Sequence, residues 1–399
     1  MITVNEAERI IQAQTRDYGS ETVDYRHAQG RVLAEHLFAD RDLPPFNRAM
    51  VDGVAIRHDV FRKRGQPFTI CGIQAAGDSP IPLPAEGGCI EIMTGAALDP
   101  TLDTVIRYED VRMRDGRAHI ELDDIRQGQH VHLKGSDKKQ GDLVATANSI
   151  ITPALVGLAA SIGKTTLLVK KLPRMVAITT GDELVSAEES PGAFQIRRSN
   201  GMTIQAVLQR HAVTADMLHL PDDYEVVQAK LYQCLQKYDV LLVSGGVSKG
   251  KFDYIPRVLR ELGTEQLFHG ILQKPGKPFW FGRHAHGTLI FAFPGNPVSA
   301  FMCLHRYFIP WLENALALKP RLPEYAVLQE VLLKPSHLQY FAQVNLQPDE
   351  AAQLQAMPVG SNNSGDFSQL GQTDAFMEFP PGKSRIEKGG IYRIWRYNN

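Results

Sequence analysis

Between residues 173 and 318 the sequence alternates apolar strand-like runs with amphipathic helical runs, and this alternation constrains the fold more than any other feature. Because a helix joins each predicted strand to the next, we expect an open, mainly parallel sheet covered by helices on both faces. Such sheets bind ligands at the carboxyl ends of their strands. The predicted strands are Arg174–Thr179, His211–Leu218, Val240–Ser244 and Thr288–Phe293, and the predicted helices are Ser199–Arg210, Asp223–Lys237, Asp253–Leu262 and Pro297–Leu318, the last kinked at Pro310.

The segments on either side of this region have a different sequence pattern. Residues 21–150 hold short β-type runs separated by turns rich in Gly, Pro and Asp, and strands that alternate apolar and polar residues follow residue 320. Both patterns are typical of small β domains. The expected fold class is therefore α/β multidomain, with an open mainly parallel sheet between β-rich flanks. An amphipathic helix at the start of the chain is predicted by apolar residues at helical spacing: Ile2, Ala7, Ile10 and Ile11.

The composition excludes several classes of protein. With 43 basic and 44 acidic residues the formal net charge is -1, which argues against a surface built for nucleic acid. No C-x-x-C pair occurs, so we do not expect a zinc ribbon. Cysteines that stand far apart suit a reducing compartment, where thiols stay free. No signal peptide is visible, and the longest weakly polar stretch, 153–169, is interrupted by Lys164 and too short to span a bilayer. We expect a cytoplasmic protein with no membrane and no nucleic-acid partner.

Glycine-containing turns follow three of the predicted strands. Glycine lets backbone N–H groups approach an anion closely, and a following helix N-terminus adds a favourable dipole. One such turn is an ordinary tight turn, whereas three on one sheet edge predict a shared pocket for an anion or a nucleotide. The residues concerned are Gly181 after the first strand, Ser244, Gly245, Gly246 and Ser248 after the third, and Pro294, Gly295, Asn296 and Pro297 after the fourth.

Charged residues accompany these turns. Lys274 and Lys277 lie on a proline-stiffened loop that is either a solvated basic turn or a clamp on phosphate. Carboxylates beside an anion pocket repel the ligand unless a divalent cation lies between them, so Mg²⁺ is implied. A turn role for Asp222 and a helix-capping role for Asp253 stay open. The candidate metal ligands are Asp182, Glu183, Asp222 and Asp253.

Six segments occur in the order found in the molybdopterin molybdotransferase family, which includes MoeA proteins and the C-terminal region of gephyrin. They are PPFNRAMVDGVAI, EIMTGAALDP, TTGDEL, VSGGVSKGKFDY, KPGKPFWFG and FAFPGNPVSAF. The resemblance extends from about residue 2 to 397, and the combination is highly specific. It implies an elongated homodimer of four-domain subunits: a discontinuous, mixed helical dimerisation domain I (1–20, 40–48 and 138–171), a β-rich domain II (21–39 and 49–137), a molybdopterin-binding-like α/β domain III (172–319) and a β-barrel-like domain IV (320–399).

The resemblance also implies a reaction, in which adenylylated molybdopterin and molybdate give molybdenum cofactor and AMP with Mg²⁺ or another divalent cation. A molybdopterin adenylyltransferase and downstream cofactor-handling proteins are the implied protein partners. Position by position, the family's catalytic residues fall on Asp52, Thr94, Asp137, Lys274 and Lys277. Its Gly-Asp-Glu pair falls on Asp182 and Glu183, its later acids fall on Asp222 and Asp253, and its Pro-Gly-Asn-Pro turn falls on residues 294–297.

The sequence departs from the family pattern at a few positions near Asp52. Residues 47–51 read Asn-Arg-Ala-Met-Val where many members have Asp-Asn-Ser-Ala-Met, Val54 replaces a tyrosine, and Ala97 stands where proline is common. None of these differences removes a charged group assigned to catalysis.

Two other functions stay open. One is adenylylation of molybdopterin, or cleavage of a nucleotide pyrophosphate, by domain III alone. The motifs around Asp52 and Thr94 argue against it, because single-domain relatives lack them. The other is a non-catalytic, gephyrin-like dimeric scaffold that binds a partner peptide, against which the retained set of charged residues argues.

Overall fold

The computed structural model describes residues 1–84, 87–247, 253–360 and 365–398. The chain divides into two compact units. Unit 1 comprises Met1–Ala34, Asn148–Thr152 and Leu167–Asn399, and unit 2 comprises Glu35–Ala147 and Pro153–Thr166. The four domain boundaries expected from the family resemblance stay a prediction.

Within these residues the helices are α1 (Val4–Gln12), α2 (Pro153–Ser161), α3 (Asn200–Gln209), α4 (Tyr224–Lys237), α5 (Ile255–Glu261), α6 (Pro297–Cys303) and α7 (Ile309–Ala315). The strands are β1 (Ser20–Asp24), β2 (Leu37–Phe38), β3 (Arg48–Ala49), β4 (Gly53–Ile56), β5 (Pro67–Gln74), β6 (Gly88–Ile92), β7 (Thr104–Arg107), β8 (Val111–Arg114), β9 (Arg117–Ile120), β10 (Val131–His132), β11 (Leu143–Ala145), β12 (Thr166–Lys170), β13 (Met175–Thr180), β14 (Leu184–Val185), β15 (Ile196–Arg197), β16 (Ala215–Leu220), β17 (Val240–Ser244), β18 (Thr264–His269), β19 (Gln273–Lys274), β20 (Trp280–His284), β21 (Leu289–Phe293), β22 (Glu324–Leu328), β23 (Leu332–Leu333), β24 (Gln339–Pro348), β25 (Leu354–Pro358), β26 (Ala375–Phe379), β27 (Arg385–Ile386) and β28 (Ile391–Arg396). None of the helices described is both long enough and apolar enough to cross a membrane.

Unit 1 contains a six-stranded sheet in the order β16-β13-β17-β21-β20-β18. The first four strands are parallel, and β20 and β18 are antiparallel at one edge. The register pairs Thr179 with Ser244 and Ser244 with Phe293, so β13, β17 and β21 end side by side. The predicted α/β arrangement is confirmed, and the turns that follow these three strands share one edge of the sheet.

Alternate residues of the central strands pack on opposite faces of this sheet. On one face, Ala177 and Leu242 lie in a cluster with Leu208 of α3. On the other face, Ile178 and Val243 pack in a second cluster with residues of α4 and α5. Both faces are therefore covered, which explains why these strands read as continuous apolar runs rather than as alternating ones.

Two sequence predictions need correction in this region. The strand predicted at His211–Leu218 runs from Ala215 to Leu220, because the chain first turns back on α3 through backbone bonds such as Val213 N–H to Leu208 O. The helix predicted at Pro297–Leu318 is α6 and α7 joined by a π-helical turn, Leu304–Phe308. Pro310 lacks the N–H that would bond to the carbonyl four residues earlier in an α-helix. The wider π-helical turn ends two residues before this proline.

The C-terminal part of unit 1 is a closed barrel. Strands β24, β25, β22, β28 and β26 pair in sequence, and a further pairing of β24 with β26 closes the ring. Its interior holds Leu328, Val344, Met377 and Ile394. The predicted barrel-like fold is confirmed. Strand β19, whose last residue is the first lysine of the Lys-Pro-Gly-Lys segment, pairs in parallel with the start of β24.

Unit 2 is built around a second six-stranded sheet in the order β7-β4-β6-β5-β9-β8. Its residues also alternate between two buried clusters, with Ala55 and Ile90 in one and Val54 and Cys89 in the other. Outside this sheet, β3 pairs with β10 antiparallel. That short pairing lies directly before Asp52 in sequence.

Candidate functional site

A cavity of about 650 Å³ lies at the carboxyl edge of the unit 1 sheet. All three predicted turns contribute to its wall, so the sequence prediction of one shared pocket agrees with the geometry. Ser248 lies outside the described residues. The predicted binding residues that line the cavity are Gly181, Ser244, Gly245, Gly246, Pro294, Gly295, Asn296 and Pro297.

The turn after β17 requires glycine at Gly245. Its φ is +99°, and a Cβ atom there would lie 2.8 Å from Thr180 Oγ1 and 3.0 Å from Thr180 O. Its N–H donates to Phe293 O at 3.2 Å, which ties this turn to the end of β21. Any side chain at this position would be strained and would push neighbouring strand ends apart.

Asn200 joins two of the turns and was not among the predicted site residues. Its Nδ2 donates to Ser244 Oγ at 2.8 Å and to Gly295 O at 2.7 Å. Arg197, Arg198 and Ser199 also line the cavity. The run Arg-Arg-Ser-Asn at the start of α3 could have indicated this part of the cavity wall, because cations before a helix N-terminus favour binding of an anion. It does not follow a strand of the predicted sheet, so the strand-end rule missed it.

The acidic residues crowd together at the same edge. Glu183, Asp222 and Asp253 line the cavity, and Asp182 Oδ1 accepts the backbone N–H of Asp222 at 3.0 Å. Burial raises the pKa of the Asp222 carboxyl, and the negative charge of Asp182 is the next cause of that rise. The charges of Glu183 and Asp253 act in the same direction.

This acidic set has the chemistry of a hard-cation site without being a preformed one. Carboxylate oxygens are the ligands that Mg²⁺ prefers, and their mutual repulsion at Asp222 is the kind of strain that a cation relieves. Among the residues that the structure describes, no group of three or more His, Cys, Asp and Glu side chains is already arranged around a metal position. The residues therefore fit Mg²⁺ by charge and donor type.

The Lys-Pro-Gly-Lys turn packs beside this region on a buried polar cluster. Gln273 Nε2 donates to Gly276 O at 3.1 Å, and the Tyr307 hydroxyl donates to Gln273 Oε1. A Cβ atom at Gly276 would lie 2.6 Å from Cys303 Sγ, so only glycine fits there. Lys274 and Lys277 are exposed, and the cavity wall includes Pro278 but neither lysine.

In unit 2, Asp52 is held by Thr94. The backbone N–H and the hydroxyl of Thr94 donate to Asp52 Oδ1 at 2.6 and 2.7 Å. Both bonds favour the ionised carboxylate, and the backbone bond is the larger of the two causes that lower the pKa of Asp52. Since the hydroxyl proton is engaged by Asp52, the Thr94 oxygen faces any other ligand as an acceptor.

Asp137 is bonded to residues that the sequence did not single out. Its Oδ1 lies 2.8 Å from His132 Nε2 and accepts the Ser136 hydroxyl at 3.4 Å. His132 Nδ1 lies 3.2 Å from Arg48 Nη2. The turn after β10 brings His132 back to Asp137, five residues later, whereas Arg48 reaches His132 only through the cross-strand pairing of β3 with β10, which the sequence does not show.

Comparison with known families matches three consecutive parts of the chain. Residues 2–163 match the family described as "MoeA N-terminal region (domain I and II)". Residues 176–314 match "Probable molybdopterin binding domain", and residues 325–391 match "MoeA C-terminal region (domain IV)".

Individual relatives match over the whole length. A molybdopterin molybdenumtransferase from Synechocystis sp. is 39% identical over 400 residues, which is 100% of both chains. One from Bacillus subtilis is 27% identical over 405 residues, covering 98% of this chain and 93% of the relative. The crystal structure of a molybdopterin biosynthesis MoeA protein from Pyrococcus horikosii superposes with a TM-score of 0.81 at 26% identity and covers 100% of both chains.

Proposed function

Since the chain belongs to the MoeA family of molybdopterin molybdenumtransferases, we propose that it transfers molybdate onto adenylylated molybdopterin and releases AMP. It is thus a transferase of molybdenum cofactor biosynthesis. The observation that carries the proposal is the cavity of about 650 Å³, whose wall combines three strand-end turns, the cations Arg197 and Arg198, and a set of carboxylates.

The cavity wall offers complementary groups for a nucleotide-linked substrate. The glycine turns at Gly245 and Gly295 let phosphate oxygens approach the backbone without a side chain in the way. Arg198 supplies positive charge on the same wall. Asn200 holds two of the turns at a fixed separation, so the cavity keeps its shape before the substrate arrives.

We further propose that Asp182, Glu183, Asp222 and Asp253 hold Mg²⁺. When bound, the ion supplies positive charge that offsets the charge developing on the phosphoanhydride as it breaks. The chain's own part is to present oxygen ligands whose mutual repulsion is relieved by a cation. Lys274 and Lys277 keep their proposed role as phosphate contacts from the exposed turn that carries them.

Asp52, Thr94 and Asp137 are proposed to act on the molybdate side of the reaction. Asp52 is kept ionised by Thr94, so it is available as a proton acceptor or as a ligand for a cation. Asp137 lies in the Lys-Gly-Ser-Asp segment that matches the family motif.

The assembly and domain division are also proposals. We propose that subunits of the four domains given above pair as a homodimer in the cytoplasm. Sedimentation equilibrium tests the pairing: a dimer has about twice the 44.4 kDa mass of one chain. A single-chain mass at micromolar concentration would contradict it.

The reaction is tested with purified protein, adenylylated molybdopterin and Mg²⁺, with and without molybdate. We expect AMP to be released only when molybdate is present. AMP release at the same rate with and without molybdate would indicate a pyrophosphatase. ATP consumption in the presence of molybdopterin would indicate an adenylyltransferase. No AMP in any mixture would contradict catalysis and favour a scaffold.

A further inference from the structure

Two residues near Asp137 form a continuous hydrogen-bonded chain with it. The antiparallel pairing of β3 with β10 sets Arg48 directly opposite His132. The turn that follows β10 then returns the chain, so that Asp137 Oδ1 lies 2.8 Å from His132 Nε2. On the other side of the ring, His132 Nδ1 lies 3.2 Å from Arg48 Nη2. The order is therefore guanidinium, imidazole, carboxylate.

The chemistry of the two end groups fixes the proton on the ring between them. A guanidinium carries only donors, so His132 Nδ1 has to accept from Arg48 and has no hydrogen of its own. A neutral imidazole then carries its hydrogen on Nε2, which donates to the Asp137 carboxylate. Arg48 thus selects one tautomer of His132, and that tautomer is the one that bonds to Asp137.

The backbone around Asp137 is fixed independently of this chain. The Asp137 N–H donates to Leu43 O at 3.0 Å, and the Lys134 N–H donates to Asn47 Oδ1 at 2.8 Å. The backbone bonds do not fix the orientation of the Asp137 side chain. This side chain is 55% exposed, and an exposed carboxylate ordinarily samples several rotamers. Both side-chain bonds fall on Oδ1, and the one from His132 is much the shorter. His132 therefore decides where the carboxylate points.

From this geometry we infer that Arg48 and His132 are positioning residues for Asp137, with Arg48 setting the tautomer of His132 and His132 holding the carboxylate in one orientation. The inference rests on the proposed function, in which Asp137 takes part in the reaction. It gives a role to Arg48, one of the residues at which this sequence departs from the family pattern. Orientation of a reacting group matters to rate, since displacement by about 1 Å costs up to roughly a hundredfold.

The tautomer is measured on the intact protein by ¹⁵N NMR of ring-labelled histidine. His132 is assigned by the signal that disappears in His132→Gln. We expect the Nε2–H form in the wild type. Because the Asp137 carboxylate also requires hydrogen on Nε2, the role of Arg48 is measured in Asp137→Ala: we expect the Nε2–H form there and a mixture of tautomers in Asp137→Ala combined with Arg48→Met. An Nδ1–H or doubly protonated ring in the wild type would overturn the inference, and so would the same tautomer mixture with and without Arg48 in the Asp137→Ala background.

The consequence for the reaction is measured as molybdate-dependent AMP release. His132→Leu removes the donor, and we expect kcat to fall about tenfold with little change in KM, as when a group that orients a reactant is lost. His132→Gln keeps an amide donor near the position of Nε2, and we expect it to recover most of the rate. The matched control is His119→Leu, which removes another half-buried histidine of unit 2 and should leave kcat unchanged.

A double-variant comparison separates positioning from a direct role. If His132 acts through Asp137, then His132→Leu combined with Asp137→Asn is no slower than Asp137→Asn alone. Multiplied losses, or a wild-type kcat in His132→Leu, would overturn the inference. If Asp137→Asn itself keeps the wild-type rate, the proposed role of Asp137 fails, while the tautomer experiment still reports on the hydrogen-bonded chain.

Discussion

The cavity of unit 1 and the Asp52–Asp137 region of unit 2 are held in shape by different kinds of interaction. Around the cavity, the register of buried parallel strands sets the position of each turn, and Gly245 and Gly295 present backbone. Around Asp52 and Asp137, exposed carboxylates are held by hydrogen bonds from the N–H and hydroxyl of Thr94 and from the His132 ring.

This difference predicts how each region responds to substitution. A change at a closely packed turn position such as Gly245 disturbs buried packing, so stability and activity should fall together. A change at Asp52 or Asp137 removes only exposed hydrogen bonds, so activity should fall while the fold stays intact. Substitutions in each region test that separation.

The largest effect is expected at Gly245. In Gly245→Ala the new Cβ atom meets Thr180 O and Oγ1 at 3.0 and 2.8 Å in a left-handed backbone conformation. We expect a loss of about 1–3 kcal/mol in the free energy of unfolding. AMP release should fall by roughly a hundredfold or more, because the turns are displaced. Chemical denaturation and the AMP assay measure the two losses.

Gly295→Ala is the matched control for stability. Its Cβ atom would meet only Gly245 Cα, at 3.6 Å, which is ordinary contact. We expect an unfolding free energy within about 0.5 kcal/mol of the wild type. If Gly245→Ala is equally stable, the cavity edge is more tolerant than the strand register implies.

The next effect concerns the carboxylates. Asp222→Asn removes a charge that repels Asp182, so we expect the Mg²⁺-free protein to melt no lower than the wild type. The Mg²⁺ concentration for half-maximal AMP release should rise about tenfold, because affinity depends on the charge of the ligands. This concentration is measured by removing Mg²⁺ with a chelator and titrating Mg²⁺ back in the AMP assay.

Asp223→Asn is the control for that variant. Asp223 is the neighbouring acid, and its side chain caps α4 by accepting the Val226 N–H at 2.9 Å. Asparagine caps helices equally well, so the Mg²⁺ response should not move. A similar shift in both variants would show that local charge, rather than ligation by Asp222, controls the Mg²⁺ requirement.

Asn200 should give a smaller loss. Asn200→Ala removes the two bonds that join Ser244 to Gly295, each worth about 0.5–0.7 kcal/mol at this partly exposed position. We expect kcat/KM to fall roughly fivefold to tenfold. Asn200→Asp keeps the shape and loses the donor, so it should be at least as damaging. A wild-type rate in Asn200→Asp would show that volume, and not the bridging donor, is what matters.

The two regions also differ in how far they could be predicted. Strand ends are visible in sequence, because an apolar run followed by glycine is a local pattern, and the turns at Gly245 and Gly295 were found that way. Asn200 was not, since it lies beyond a long loop after Gly181. Arg48 and His132 are 84 residues apart, and only the pairing of β3 with β10 brings them together.

The Lys-Pro-Gly-Lys segment shows the same limit. Its position before a strand suggested a phosphate clamp, and the sequence could not show that β19 pairs with barrel strand β24. That long-range pairing and the buried contacts of Gly276 fix the turn and leave Lys274 and Lys277 exposed. Local pattern predicted the turn, whereas tertiary packing decides its direction.

The smallest effect is a displacement of the pH profile at Asp52. The Thr94 bonds lower its pKa, so activity that needs the ionised carboxylate is lost only when the pH falls through this lowered value. Thr94→Val removes the hydroxyl bond and keeps the backbone bond, so the pKa rises part of the way back and the acid limb of kcat moves to higher pH. Thr94→Ser keeps the hydroxyl and should leave the limb in place, with melting temperatures alike in both variants. If the acid limb of Thr94→Val coincides with that of the wild type, Asp52 does not need to be ionised for the reaction, and its role as a proton acceptor falls.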